Sequence, residues 1–322
     1  MLTKEEFWHG KPYYSLDAYC KNTYHEKLYK IALDAGMTCP NRDGKLDTRG
    51  CIFCSQGGSG DFAVRCIRPM KEQIAEGLSL FHGKKVGDRF IAYFQAYTNT
   101  YASLSYLHYV YTQALNEPCI AGISIATRPD CITEGVLSLL LSLRHSYPDK
   151  FIWIELGLQT IHEKTAAYIR RGYPLTVFDA AVYKLSAIKI PVIVHLILGL
   201  PGETDEQMLQ SVEYLNDRPI FGVKLQLLHV LKNTDLAEDY KQGNFGVLTK
   251  EHYIDLLLSS LARLSPDIVI HRLTGDGPKD QLIAPLFSQN KRDVLNTLQQ
   301  KCREKSIWQG KFYHDTGTTH TL

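Results

Sequence analysis

A chain of 322 residues that is 44% apolar can bury a large core, and a net charge of +2 singles out no polyanionic partner. No apolar run approaches the ~20 residues of a membrane-spanning helix, so no membrane partner is expected. The opening Met1-Leu-Thr-Lys-Glu-Glu-Phe-Trp8 lacks the layout of a secretory leader, which predicts a cytoplasmic protein whose eight cysteines are thiols or ligands rather than disulfides.

In chain order, short apolar strands are predicted over residues 28–33, 90–94, 122–127, 152–158, 192–198 and 223–229. Several are nearly continuous Val/Ile/Leu runs, as parallel strands buried on both faces require. Amphipathic helices lie between them: Met70, Ile74, Leu78 and Phe81 share one stripe, and Val177, Ala181, Leu185 and Ile188 another. Thr160-Ile-His-Glu163 and Thr204-Asp-Glu-Gln207 read as capping boxes. Six βα units predict a partial (β/α)6 TIM-type barrel of parallel strands in residues 24–235. An N-terminal extension, 1–23, precedes it. The segment 236–322 completes the domain, with a possible seventh strand at 268–273, a helical stretch over 279–306, and a possible contact with substrate.

In such barrels, chemistry gathers at the C-terminal ends of the strands. After the first strand comes Cys39-Pro-Asn-Arg-Asp-Gly-Lys-Leu-Asp-Thr-Arg-Gly-Cys51-Ile-Phe-Cys54. Three thiolates can hold three corners of an iron–sulfur cube and leave its fourth iron open. A Cys-x-x-Cys pair is also a common zinc half-site. Placement at a barrel mouth favours the catalytic cluster over a structural zinc. The remaining five cysteines, Cys66 among them, are scattered and read as small semi-buried hydrophobes.

Further motifs follow the later strands: Gln95-Ala-Tyr-Thr-Asn-Thr100, Thr127-Arg-Pro-Asp130, Glu155-Leu-Gly-Leu-Gln-Thr160, Arg170-Arg-Gly172, and His195-Leu-Ile-Leu-Gly-Leu-Pro-Gly-Glu-Thr204. Taken with the cysteines, their order resembles the radical S-adenosylmethionine (SAM) superfamily, in its Elongator-catalytic-subunit-like branch. Within that branch the chain is similar to a stand-alone bacterial group with a long first cysteine gap. The resemblance spans about residues 24–234. Two departures stand out. The first gap is eleven residues rather than three, and Phe94-Gln-Ala-Tyr97 stands where a Gly-Gly-Glu-like motif is usual. An acetyltransferase-like domain, which the Elongator subunit carries, is not expected here.

The resemblance implies a [4Fe-4S] cluster on Cys39, Cys51 and Cys54. It implies SAM chelated by the open iron and cleaved by one electron to methionine and a 5′-deoxyadenosyl radical. Phe53 would lie against the adenine, and Gln95 and Ala96 would meet the SAM amino group. Arg128 would pair with the SAM carboxylate, as a guanidinium fork suits that shape. Glu155 interrupts an apolar strand, where a carboxylate is costly unless paired; Arg171 or the SAM is its expected partner. His195 poses the same question, with substrate or SAM contact or a satisfied core histidine as the alternatives. Gly199 allows backbone to approach the cofactor, and Asp276 is a candidate on the substrate side.

The branch implies tRNA as substrate, acting on a wobble-uridine side chain, and a flavodoxin- or ferredoxin-type electron donor. Residues 289–313 carry six Lys or Arg against two carboxylates, with Trp308, Phe312 and Tyr313 nearby. That segment reads either as a phosphate-and-stacking surface or as a solvated helix face. Two alternatives stay open: a radical SAM enzyme acting on a small metabolite, and a non-enzymatic metal-bearing RNA-binding protein.

Overall fold

The computed structural model describes residues 3–55, 57–58, 68–81, 87–275 and 277–314. Cys66 and Asp276 therefore lie outside the described residues. The strands are β1 (Tyr29–Leu33), β2 (Phe90–Phe94), β3 (Ile120–Thr127), β4 (Phe151–Gln159), β5 (Val192–Leu198), β6 (Gly222–Leu227), β7 (Val230–Leu231), β8 (Val269–Arg272) and β9 (Leu282–Ala284). The helices are α1 (Lys4–Phe7), α2 (Leu16–Tyr24), α3 (Met70–Ser79), α4 (Leu104–Leu115), α5 (Glu134–Ser146), α6 (Glu163–Tyr168), α7 (Leu175–Ala187), α8 (Asp205–Glu213), α9 (Asp235–Lys241), α10 (Lys250–Arg263) and α11 (Lys291–Glu304).

Seven strands form one parallel sheet in the order β1-β2-β3-β4-β5-β6-β8, curled into a half-barrel. The predicted partial barrel is therefore present, and its seventh strand does extend the sheet. Strands β7 and β9 pair separately and antiparallel. Among the described residues, no helix is long and apolar enough to cross a membrane.

The period of two along each strand sorts side chains between two environments. Ile154, Leu156 and Leu158 of β4, with Val192, Val194 and Leu196 of β5, belong to the main core beneath the helices. Their neighbours point the other way, into the barrel. The lowest interior layer is apolar and includes Ile91, Trp153, Ile193, Phe221 and Val269. The N-terminal segment seals it: Tyr19 lies 4.7 Å from Phe221 and 6.1 Å from Trp153, ring to ring. Ser15 also forms a parallel bridge to Ile270 of β8, and the Ile270 amide donates to the Tyr14 carbonyl at 2.7 Å. An otherwise open sheet edge is covered in this way.

Two local predictions need correction. The stretch 279–306 is not one helix: it holds β9, a 3-10 turn over Leu286–Gln289 and α11. Pro285 is the reason, since it lacks an amide donor and disfavours helix at the residue before it. The capping box at Thr204 is present, with Gln207 closing it. The one at Thr160 is not, because the chain turns at Gln159 (φ +67°) and α6 starts only after His162. The Thr160 hydroxyl instead donates to Glu203, and the Glu163 carboxylate accepts from the Leu175 amide at 2.7 Å.

A site above a polar barrel interior

The loop from Asp34 to Ser55 carries the cysteines. Its eleven-residue gap is held by its own hydrogen bonds: the Arg42 amide donates to the Cys39 carbonyl at 2.8 Å and the Gly50 amide to the Asn41 carbonyl at 2.7 Å. Arg42 reaches back to the carbonyls of Cys54 (3.1 Å) and Ser55 (2.6 Å), joining the two ends of the loop. Gly50 stands at φ +78°, where a side chain is strained, and a Cβ would sit 2.7 Å from the Arg42 guanidinium. The Ile52 amide bonds the Ile169 carbonyl at 3.2 Å, which ties the loop to the turn after α6.

Cys39, Cys51 and Cys54 are all half-buried thiols. The Cys51 thiol is drawn down to about 7, chiefly by a hydrogen bond with Cys54, with help from Arg128, Asn41 and Arg42. Cys54 is pushed up by the same contact and by burial, and Cys39 lies near enough to add to that push. The Asn41 amide donates to the Cys51 sulfur at 3.6 Å and to the Arg170 carbonyl at 2.7 Å. Among the described residues no three Cys, His, Asp or Glu side chains converge on a single-ion site. A tetrahedral zinc would need its thiolates about 4 Å apart. Three soft thiolates with cationic neighbours match the donor chemistry of an iron–sulfur cube.

Beneath the loop lies a cavity of about 420 Å³, lined by Phe53, Cys54 and Gly58 on one side and by Gln95, His195 and Lys224 among others. Phe53 is half-buried and packs on the cluster around Ile52, Ile169 and Leu228. Gln95 follows β2 and faces the cavity, while the Ala96 carbonyl accepts from Asn99 at 2.7 Å.

Glu155 occupies the centre of the barrel and has no exposed surface. It accepts from Lys30 at 2.5 Å, Ser124 at 2.6 Å and His195 at 2.7 Å, and from Lys224. Ser124 reaches it because β3 slips register against β2 beside Phe90 and Ile91, which turns Ser124 inward. Burial alone would raise the Glu155 carboxyl; Lys224, Lys30 and His195 reverse this and hold it well below the usual range. His195 is drawn down to about 4 by burial and by Lys224, so its neutral ring donates from Nε2. The expected partner Arg171 is elsewhere. Its guanidinium is buried against the carbonyls of Thr160 (2.6 Å), Tyr173 (2.9 Å) and Leu158 (3.3 Å), with Glu163 at 3.3 Å. Glu155 points into the barrel, toward β1 and β6, whereas Arg171 lies in the turn between α6 and α7, beyond the end of β4.

Arg128 makes a two-pronged contact with Asp130 at 2.8 and 2.9 Å and donates to the Arg171 carbonyl at 3.0 Å. Its guanidinium also lies 4.9 Å from the Tyr173 ring. Gly199 ends β5 at φ +90° and packs against Leu248, with its amide 3.0 Å from the Met208 sulfur. It does not line the cavity. Sequence reasoning missed Lys30, Tyr93, Ser124 and Lys224. Lys30 and Lys224 gave the same signal as Glu155 and His195, an ionisable residue inside an apolar strand.

The profile of the Radical SAM superfamily matches residues 48–215, and that of the Radical_SAM C-terminal domain matches residues 220–304. Cys51 and Cys54 fall inside the first match, whereas Cys39 precedes it. "Uncharacterized protein YtqA" of Bacillus subtilis is 37% identical, over 94% of this chain and 93% of its own length. Elongator complex protein 3 of Schizosaccharomyces pombe is 24% identical over 89% of this chain; the match spans 62% of that protein. Among solved structures, the archaeal Methanocaldococcus infernus Elp3 lacking its first 46 residues superposes with a TM-score of 0.65 at 16% identity. That superposition covers 88% of this chain and 64% of the other, and it speaks for the fold. With its family profile over half the chain, its cysteine loop at the mouth and its parallel half-barrel, this protein belongs to the radical SAM superfamily, on the branch it shares with Elongator complex protein 3.

Proposed function

We propose that this enzyme holds a [4Fe-4S] cluster on Cys39, Cys51 and Cys54 and uses it with SAM to modify a wobble-uridine side chain of tRNA. The observation that carries the reading is that the three thiols share one loop at the end of β1, whose Cys54 lines a cavity inside the barrel. When bound, the cluster and SAM supply one-electron cleavage of the sulfonium C–S bond and hydrogen-atom abstraction by the resulting carbon radical.

The chain's own residues then have distinct tasks. Asn41 and Arg42 fix the loop around Cys51 and Cys54. Phe53 offers an apolar face for an adenine, and Gln95 offers a carbonyl and an amide to a polar group. The Glu155 network fills the barrel centre with fixed charge, and the apolar layer sealed by Tyr19 closes the far end to water. The tRNA assignment draws on the similarity to Elongator complex protein 3. Near the C-terminus, Trp308 and Phe312 remain exposed, with Lys311 5.2 and 5.3 Å from their rings. That arrangement suits stacking on unpaired bases. Three of the basic side chains there already have partners: Lys305 with Asp255, Lys301 with Glu304, and Lys291 in a contact of its own.

Anaerobic reconstitution followed by iron, sulfide and zinc analysis tests the cluster. We expect iron and sulfide in equal amounts, with SAM cleavage lost on replacing any one of Cys39, Cys51 or Cys54 by Ala and kept in Cys66→Ala. One zinc per chain without sulfide refutes the radical reading. Mass spectrometry of tRNA nucleosides from a deletion strain tests the substrate, and an unchanged nucleoside profile moves the reaction to a small metabolite.

A further inference from the structure

Most polar groups on the cavity wall are already engaged. Lys30, Lys224 and His195 donate to Glu155, and the Tyr93 hydroxyl accepts from Lys224 at 3.2 Å. Arg272 and Lys291 have interactions of their own. Gln95 is a contact for SAM in the proposed reaction. Two uncharged groups on the wall have no such role, Gln226 and His229.

Gln226 lies in β6, and strand alternation puts it on the same face as Lys224. Its carboxamide lines the cavity and makes no hydrogen bond among the described residues. His229 follows just after β6. Its ring lies against Gly275 and Gly277, where a Cβ would come within 2.6 and 2.8 Å of it. Its Nε2 is enclosed and has no hydrogen-bond partner among the described residues. Burial above all, with Lys291 and Arg272 adding to it, draws this imidazole down to about 4, so the ring is uncharged at neutral pH. A neutral ring carries one proton, and a buried N–H without an acceptor is a rarer defect than a buried acceptor without a donor. The proton is therefore assigned to Nδ1, the nitrogen that is not enclosed in this way.

A carboxamide offers an acceptor and two donors, and the Nδ1–H offers one donor more. Such a pair calls for an uncharged ligand edge on which acceptors and a donor alternate. The imide edge of uracil is of this kind, with a carbonyl, an N–H and a second carbonyl in a row. Ile197, Leu228 and Leu231 line the same cavity and offer apolar surface to the faces of a ring. We propose that Gln226 and His229 read the imide edge of a uracil base. The Gln226 carboxamide pairs with N3–H and one carbonyl oxygen, and His229 donates from Nδ1 to the other. This rests on reading the cavity as the place where a uridine reacts, and it assigns the specificity-determining residues there. An unstacked base can be bound by that edge. Its C5–C6 side then faces away from both residues, which leaves a C5 substituent open to reaction.

The test uses the cluster-reconstituted, SAM-saturated protein and two kinds of probe. Uridine is compared with 3-methyluridine by calorimetry. Two anticodon stem-loop RNAs, identical except for uridine or 3-methyluridine at the wobble position, are compared by fluorescence anisotropy. Methylation removes the N3–H and leaves C5 untouched. We expect each uridine probe to bind about tenfold more tightly than its methylated counterpart, as loss of a two-pronged base contact requires. Gln226→Met should abolish that ratio, binding both probes as the parent binds the methylated one. His229→Phe should weaken both about fivefold and keep the ratio. Equal binding of the two probes by the parent overturns the proposal, as does a ratio that survives in Gln226→Met or a His229→Phe that binds as the parent does. Failure of both uridine probes to bind overturns it too. Iron content and thermal melting of the same samples show which variants are folded, and the parent's own ratio decides even where a variant is not. Uridine bound with the ratio while no RNA binds refutes the tRNA substrate and leaves the base contact standing. RNA that binds and stimulates SAM cleavage without the ratio does the opposite.

Discussion

Replacing Glu155 by Gln keeps the volume of the side chain and removes only its charge. Lys30 and Lys224 then face each other across a buried amide, and breaking a buried ion pair from one side costs about 3–5 kcal/mol. An upper bound comes from the escape route open to Lys224, which is to lose its proton. A lysine titrates about 3.4 units above pH 7 when unfolded, so entering the fold neutral at that pH costs about 4–5 kcal/mol. At pH 9 the same step costs only about 2 kcal/mol. The sign follows from proton counts. In the wild type Glu155 opposes the downward pull of burial on Lys224; without it the unfolded variant binds the Lys224 proton and the folded variant does not, so its stability rises with pH over this window. Glu155→Gln should therefore lose about 3–5 kcal/mol at pH 7 and recover roughly 2 kcal/mol of the difference from wild type by pH 9. Lys224→Met should be milder, about 1–2 kcal/mol, because Glu155 keeps Lys30, His195 and Ser124. The double variant should be more stable than Glu155→Gln alone. Urea titrations of all four proteins at both pH values measure this. A Glu155→Gln penalty below about 1 kcal/mol, or one equal at pH 7 and pH 9, would show that the charges are solvated and the reasoning wrong.

Two further outcomes follow from the same geometry. His195 is held to about 4 by burial and Lys224. The unfolded ring binds a proton near pH 6.5, so its contribution is complete above 6.5 and is lost as pH falls toward 4, by roughly 3 kcal/mol in all. His195→Gln should flatten the acid limb of a urea-stability curve by about that amount, and an unchanged limb refutes the assignment. Gly172 stands at φ +81°, where a Cβ would come 2.8 Å from the Asn41 Oδ1 and 3.2 Å from Arg128. Gly172→Ala should cost about 1–3 kcal/mol and lower the iron retained after reconstitution, because Asn41 is pushed away from Cys51. Gly202→Ala, at φ +82° in open space, should show only the backbone cost and keep its iron.

The barrel was legible because its physics is local: parallel strands covered on both faces must be apolar runs, and their ends must be polar. Residues 192–198 and 90–94 were placed to the residue for that reason. The failures came where a distant partner decides. Nothing near Thr160 announces that its hydroxyl will serve Glu203, 43 residues on. Likewise Glu155 was marked by its cost inside a strand, yet of the two partners expected for it, Arg171 or the SAM, Arg171 lies elsewhere. The cations that hold it come from β1, 125 residues away, and from β6, 69 residues away, and only the curl of the sheet brings them together. A period-two reading applied evenly would have helped. Lys30, Glu155, His195 and Lys224 are all polar residues flanked by apolar ones in predicted strands. Interior charges in a closed core must also compensate one another. Read that way, Lys30 and Lys224 are the partners that Glu155 requires.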